Sequence, residues 1–332
     1  MQLVLDSKEL KIERRRNMFY IEAPGSPPRS ISPRKVTSIA VTQSVWVSTS
    51  AVMLAAEYEI PILYHNNIGK VVARVSGPGF GSIATLRRLQ VQYTDTADAT
   101  RWMIGLYLLK IQHQVSNLQQ LGPKNNPVIA QIQAQTAKLE SLANTPLNEA
   151  RQRLMAAEAV AARYYWQALS ELLPKEVAFE KRSRMPAEDP FNAALNYLYG
   201  MLYGIVEGSL FAVGLDPHLG LLHADEYNKP VLAFDFIEPF RPWLDWLLIQ
   251  QIRAKAVSAA LFKRAGGGVL LDQPGKMFFI PLFNNWLREE RLWGGVKRTH
   301  RTHIYQLAAQ YVRKLRKTDN THATAAPCYS FV

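Results

Sequence analysis

The hydrophobic pattern changes period once along this chain, at SGPGFGS (76–82), and that switch limits what it can fold into. Before it, short runs rich in Val, Ile, Tyr and Phe recur: QLVL (2–5), MFYIEA (18–23), SIAVT (38–42), IPILYH (60–65) and KVVARV (70–75). Turn formers separate them, notably PGSPP (24–28) and HNNIG (65–69). STSAVMLAAEYE (48–59) reads as a helix, with Ser48 or Thr49 as its cap. After the switch, apolar residues recur every three or four positions through 85–122, 128–144, 147–173, 190–214, 241–264 and 303–317. Pro123, Pro127, Pro146, Pro174, Pro186 and Pro190 fall between these stretches, as helix breakers should. The expected fold is α+β. A small N-terminal β-sandwich-like domain (1–76) is followed by a Gly/Pro linker (77–84), a larger mostly α-helical domain (85–317) and a flexible tail (318–332). SGPGFGS lacks the GK[ST] ending of a phosphate loop and opens no G-x-G-x-x-G helix, so it reads as a hinge.

Of 332 residues, 48% are apolar, enough for a sizeable core. The opening MQLVLDSKELKIERRR is too charged for a signal peptide, and no window offers the ~18 uninterrupted apolar residues of a membrane span. A soluble cytoplasmic protein is expected. The one cysteine, Cys328, excludes an internal disulfide or a Cys-rich zinc site, and its polar tail makes a catalytic role a poor fit. Lys plus Arg exceeds Asp plus Glu by 39 − 27 = 12, which points to a polyanionic partner. The basic residues come in separated clusters: Arg14–Arg16, Arg87–Arg88, Lys181–Arg184, Lys297–Arg301 and Arg313–Lys317. Clusters that converge only in the fold suit a long duplex better than a bilayer, although solvated faces would look the same.

Three places carry unusual polar residues. In RLMAAEAVAARYYWQALSELL (153–173), Glu158 stands among small apolar side chains, where a carboxylate must find a partner or lose its charge. A half-exposed Glu that merely supports a helix fits the segment too. In GLDPHLGLLHADEYNKP (214–230), His223 follows two leucines and reads either as a satisfied core residue or as a ligand, whereas His218 in the turn is less constrained. In VLAFDFIEPFRP (231–242), Asp235 and Glu238 share one face if a helix starts there, and two buried like charges need a cation or a shared proton. A helix-dipole role is the bland alternative. Arg241 follows as a partner for Glu238 or for a phosphate. Carboxylates with a single imidazole suit Mg²⁺ or Mn²⁺ more than zinc or copper. Such an ion beside a basic surface serves phosphodiester chemistry, and no G-x-S-x-G nucleophile motif competes with it.

These segments resemble the CRISPR-associated integrase family, the universal adaptation endonuclease of CRISPR systems. GLDPHLGLLHADEYNKPVLAFDFIEPFRP (214–242) resembles its GLDP-x-x-G-x-x-H pattern followed by D-[LF]-x-E-[PL]-F-R-P. KRSRMPAEDPFNAALNYLYGMLYG (181–204) resembles R-x-R-x-P-x-x-D-x-x-N-x-x-L-N-x-x-Y, and EAVAARYYWQAL (158–169) resembles E-G-x-x-A-x-x-Y with Ala159 in place of the usual Gly. KRTHRTHIYQLAAQYVRKL (297–315) is similar to a closing basic helix. The matches run in order over most of 150–315.

The resemblance implies Glu158, His223 and Glu238 as ligands of Mg²⁺ or Mn²⁺, with Asp235 as a supporting acidic residue. It implies Arg182, Arg184, Asn192, Arg241, Lys297, Arg298 and Arg301 as DNA-binding candidates, with Arg182, Arg184 and Asn192 either positioning DNA or bracing the site. It also implies a homodimer that joins a small ferredoxin-like adaptation subunit in a heterohexamer. That assembly would insert short double-stranded DNA at a CRISPR repeat by transesterification from 3′-hydroxyls. Three other readings compete: a repair nuclease that cuts branched DNA by water attack, a non-catalytic DNA-bridging scaffold, and a basic membrane-surface protein.

Overall fold

The computed structural model describes residues 2–36, 38–65, 71–77, 84–123, 126–174, 179–223, 226–227 and 229–323. The glycine-rich hinge at 78–83, most of the HNNIG turn and the end of the tail with Cys328 lie outside the described residues.

The first part is built from β1 (Gln2–Leu5), β2 (Lys11–Arg15), β3 (Met18–Ala23), β4 (Ser26–Ile31), β5 (Ser38–Val41), β6 (Trp46–Val47), α1 (Thr49–Glu57), β7 (Ile62–His65) and β8 (Val71–Val75). They form two four-stranded sheets, ordered β1-β5-β7-β8 and β4-β3-β2-β6. Leu3, Leu5 and Ile39 from one sheet meet Ile12 and Phe19 from the other, with Leu54 of α1 closing the same apolar core. Ser48 caps α1, its hydroxyl accepting from the Ala51 amide at 3.2 Å. The sequence hid β2, β4 and β6. β2 reads as a charge run because only Ile12 is buried along it. β4 carries Pro27 and Pro28 in a stretch expected to be a turn. It lies at the edge of its sheet, where a missing N–H costs no ladder bond.

The second part contains α2 (Ala84–Tyr93), α3 (Ala97–Leu121), α4 (Pro127–Glu140), α5 (Leu147–Leu172), α6 (Pro190–Ala212), α7 (Val231–Phe236), α8 (Arg241–Arg253), α9 (Gln273–Trp286) and α10 (His300–Ala323). The fold is therefore α+β, strands first and helices after. The expected helix over 85–122 is broken at Thr96, whose hydroxyl accepts from the Ala99 amide and starts α3 afresh. The helix expected over 241–264 stops at Arg253, and Phe262–Ala265 is a strand, β9, paired with β10 (Gly268–Leu271). A second hairpin, β11 (Glu290–Trp293) and β12 (Val296–Thr299), takes the front of the stretch expected as the closing basic helix. Both hairpins turn on Gly-Gly pairs at positive φ, 59° and 77° in each, which side chains would resist. Helix α10 runs to Ala323, past the expected start of the tail at 318.

Beneath the helices, a polar network ties four of them together. Tyr165 of α5 (3.0 Å) and Tyr199 of α6 both donate to buried Asp245 of α8. Asn117 of α3 donates to the Tyr165 oxygen at 3.2 Å and to the Pro242 carbonyl at 2.7 Å. Nearby, Trp243 is ringed by His113, Phe240, Trp293 and His300. Burial pushes the imidazoles of His113 and His300 down to about 4, although each donates Nδ1–H to a backbone carbonyl, of Pro239 and Trp286 respectively. Burial pushes the Asp245 carboxyl up to about 6, against its tyrosine hydrogen bonds.

These shifts fix a sign for acid stability. Between about pH 6.5 and 4 the unfolded chain protonates histidines that the folded chain keeps neutral, so stability is lost as pH falls through that window. Asp245 between about pH 6 and 4, and His223, whose pKa the fold raises, act the other way and reduce the slope. The expected result is a Tm that falls steadily from about pH 7 to about pH 5 in calorimetry. A Tm that stays level or rises over that range contradicts it.

Candidate active site

The chain brings Glu158 and Glu238 to one point. Glu158 lies midway along α5, on the alanine-lined stretch that also places Ala157 and Ala161 in the core. Glu238 opens a single 3-10 turn, Glu238–Phe240, that joins α7 to α8. Between the two carboxylates sits the ammonium of Lys110, from α3, which donates to Glu158 Oε1 and to Glu238 Oε2. Lys110 and Glu238 are buried, and Glu158 is 18% exposed in its side chain.

Arg241 completes the charge balance. Its Nη1 lies 2.7 Å from Glu238 Oε1, and its Nη2 donates to the Tyr203 hydroxyl. The guanidinium lies 5.4 Å and 5.6 Å from the rings of Tyr199 and Tyr203. Burial alone would raise the Glu238 carboxyl, but the charges of Arg241 and Lys110 outweigh it and hold it below the usual range. Burial likewise opposes the charge on Lys110, yet Glu158 and Glu238 raise its pKa above the ordinary lysine value. Each charge survives in the interior because its partner is there.

His223 and Asp235 form a second pair. Asp235, on α7, is fully buried and accepts four hydrogen bonds. They come from the amides of Leu221 (2.8 Å), Leu222 (3.1 Å) and His223 (3.3 Å), and from His223 Nδ1 (2.7 Å). The carboxylate thus gathers the GLLH turn and fixes the imidazole with Nδ1 as donor, which directs the lone pair of the neutral ring to Nε2. Burial lowers the imidazole pKa, but the Asp235 bond and charge and the Glu238 charge together raise it. Gly220 lets this turn close: a methyl there would overlap the His223 carbonyl and the Val231 side chain. That packing is the physical content of the Gly-x-x-His spacing.

The expected ligand residues therefore fall into one neighbourhood, although not into a ready cage. Among the described residues, no group of three or more His, Cys, Asp or Glu side chains is arranged to hold a metal ion. Glu158 and Glu238 are turned onto Lys110, and Asp235 is spent on His223 and backbone. The donor chemistry still fits a hard divalent cation: two carboxylates that already share one cationic partner, and an imidazole with one ring nitrogen to offer.

The sequence reading missed Lys110 and Tyr107. Tyr107 is buried one turn before Lys110, and burial first, then Glu238, Glu158 and Asp235, raise its hydroxyl pKa well above the usual value. A signal existed. Lys110, His113, Gln114 and Asn117 stand at core spacing on an otherwise apolar helix, and all four are buried.

The expected DNA contacts divide. Asn192 is fully buried; its amide donates to Lys181 O and Asp189 Oδ2 and accepts from Arg182 Nη1 and Ser183 N. The Arg182 guanidinium donates to Asn192, Asn196 and the Ser183 carbonyl. In these two the polar atoms are used inside the chain, which favours bracing, one of the two roles expected of them. Arg241 is likewise turned inward, onto Glu238. Arg184, Lys297 and Arg298 are exposed, the last two on β12 rather than on a helix, and Lys297 pairs with Glu290 at 3.2 Å. Arg301 is half-buried, and burial followed by the charge of Arg288 lowers its pKa. In the first cluster, Arg14 pairs with Glu57 and Arg15 with Glu13, so part of the excess charge is neutralised locally.

Comparison with known proteins identifies the family. The family model described as CRISPR associated protein Cas1 matches residues 3–285. A CRISPR-associated endonuclease Cas1 of Saccharolobus solfataricus is 31% identical over 240 residues, covering 72% of this chain and 71% of the relative. One from Thermodesulfovibrio yellowstonii is 25% identical and covers 88% of this chain and 93% of its own length. Among solved structures, a Cas1 protein from Thermotoga maritima superposes with a TM-score of 0.82 at 21% identity, covering 95% of this chain and 97% of its own. A casposase bound to an integration product gives 0.80 at 21% identity, covering 96% and 91%. With the family model spanning both the strand-rich part and the site, the chain belongs to the CRISPR-associated Cas1 family.

Proposed function

We propose that this protein is a divalent-metal-dependent DNA endonuclease and integrase of CRISPR adaptation. It inserts short DNA fragments as new spacers by 3′-hydroxyl transesterification at the repeat. One observation carries this reading: two carboxylates from separate elements converge on a single cationic position, beside an imidazole oriented by a buried aspartate. Glu158, His223 and Glu238 would hold Mg²⁺ or Mn²⁺, which when bound stabilises charge developing on a phosphoryl oxygen. Asp235 acts through His223, holding its tautomer and angle. Arg241 anchors Glu238 through a charged pair. Arg184, Lys297 and Arg298 supply sequence-independent phosphate contacts, with Arg301 beside them, and their affinity falls with salt.

The relatives support the chemistry and the partners: those from Saccharolobus solfataricus and Thermodesulfovibrio yellowstonii are named endonucleases, and structural neighbours are a casposase bound to an integration product and a Cas6-RT-Cas1–Cas2 complex. On the family resemblance, the proposed working form is a homodimer on double-stranded DNA, with a small ferredoxin-like subunit in a heterohexamer, in the cytoplasm. Among the described residues no helix is long and apolar enough to cross a membrane.

The experiment is strand transfer with Mn²⁺, using matched DNA fragments with free or blocked 3′ ends. Joined product is expected only from the free 3′-hydroxyl. Cleavage of branched DNA with no joined product from either fragment would favour a repair nuclease. DNA binding with no turnover of any substrate would leave a bridging scaffold.

A further inference from the structure

Lys110 poses a problem that the proposed chemistry does not answer. Its ammonium occupies the place where the two carboxylates converge, so it and a divalent cation would compete for the same oxygens. We infer that Lys110 is a built-in counter-cation. It holds Glu158 and Glu238 together in the metal-free protein and withdraws when metal and DNA bind together.

Charge balance drives the inference. Glu158 and Glu238 contribute two negative charges, and Lys110 and Arg241 contribute two positive ones, so the group is neutral as it stands. Asp235 is not free to ligate an added cation, because its oxygens already serve His223 and three backbone amides. A divalent ion entering with Lys110 in place would leave an excess of positive charge in a buried site, which is costly at low dielectric. Two events remove that excess. Lys110 sits on a flexible four-carbon stem and can carry one charge away, whereas Arg241 is confined between Glu238 and two tyrosine rings. DNA phosphates bring negative charge from outside. Metal and DNA therefore bind with positive coupling, and by linkage each tightens the other. In the metal-free state Lys110 also keeps the carboxylates from repelling each other, so the site stays assembled between uses.

This inference rests on the metal-site reading. Its test is Mn²⁺ binding to the full-length protein, followed by electron paramagnetic resonance of free Mn²⁺, without and with a short DNA duplex. Wild-type protein is expected to bind Mn²⁺ weakly alone and at least about tenfold more tightly with DNA. Lys110→Met removes the competing charge while keeping much of the side-chain length. It is expected to bind Mn²⁺ at least about tenfold more tightly than wild type without DNA, and to lose most of the DNA dependence. Its metal-free Tm should fall below wild type, and Mn²⁺ should raise it by more than it raises the wild-type Tm. Equal or weaker Mn²⁺ affinity in the variant overturns the inference.

Lys110→Gln repeats the comparison if the methionine variant does not fold. A wild-type crystal soaked in Mn²⁺ needs no variant: an ion at these carboxylates with Lys110 still bridging both would also overturn it. Adding Glu238→Gln to the Lys110 variant separates the two levels. If Mn²⁺ affinity is then unchanged, the ion lies elsewhere, and the metal-site reading fails together with this one.

Discussion

Glu158→Gln, His223→Ala and Glu238→Gln are each expected to cut DNA cleavage and strand transfer by at least about a hundredfold, with DNA affinity measured without divalent metal changed by no more than about threefold. The three side chains come from α5, the GLLH turn and the turn before α8, so no single local distortion explains a shared loss. The two glutamine changes keep shape and remove charge, which singles out the need for an anionic ligand. Binding should survive because the basic residues proposed to hold phosphate, Arg184 and the β12 pair Lys297 and Arg298, are exposed and left unchanged. Single-turnover strand transfer paired with fluorescence anisotropy separates the two quantities. Full turnover in all three variants would remove the catalytic assignment. A parallel loss of binding and turnover would make the residues structural.

Glu158 and Glu238 should be alike in catalysis and unlike in stability. Glu238 is 5% exposed in its side chain and balances both Lys110 and Arg241. Removing its carboxylate leaves two buried cations with one remaining partner, so Glu238→Ala should cost on the order of 3–5 kcal/mol. For a chain of this size that corresponds to a Tm drop on the order of 10 °C. Glu158 is 18% exposed in its side chain and shares only Lys110, which keeps Glu238 as a partner, so Glu158→Ala should cost clearly less. Urea melts of the two variants at neutral pH check this. Equal losses would mean that the Arg241–Glu238 pair carries no special weight.

Much of this architecture was legible in the sequence, and the misses have physical causes. The period switch located the strand-rich part and the helices because most elements bury one face against one core. It failed where burial was weak or context dominated. β2 buries one side chain, β4 tolerates prolines at a sheet edge, and the two hairpins are short two-stranded ribbons within a helical body. The helix α9 went unread between those hairpins, with Pro281 inside it.

At the site, Glu158, Asp235 and Glu238 stood out because a carboxylate among apolar residues requires a partner. The partner itself was invisible. Lys110 lies 48 positions from Glu158 and 128 from Glu238, and only packing brings α3 between them. The sequence leaves Asn192 either positioning DNA or bracing the site, and its four hydrogen bonds knit the 181–189 segment to the start of α6.

The most direct measurement is anomalous diffraction at the manganese edge from crystals of the protein with Mn²⁺ and DNA. A single peak within about 2.0–2.3 Å of oxygens of Glu158 and Glu238 and of His223 Nε2 is the expected result. Bound manganese with its anomalous peak away from these three side chains would contradict it.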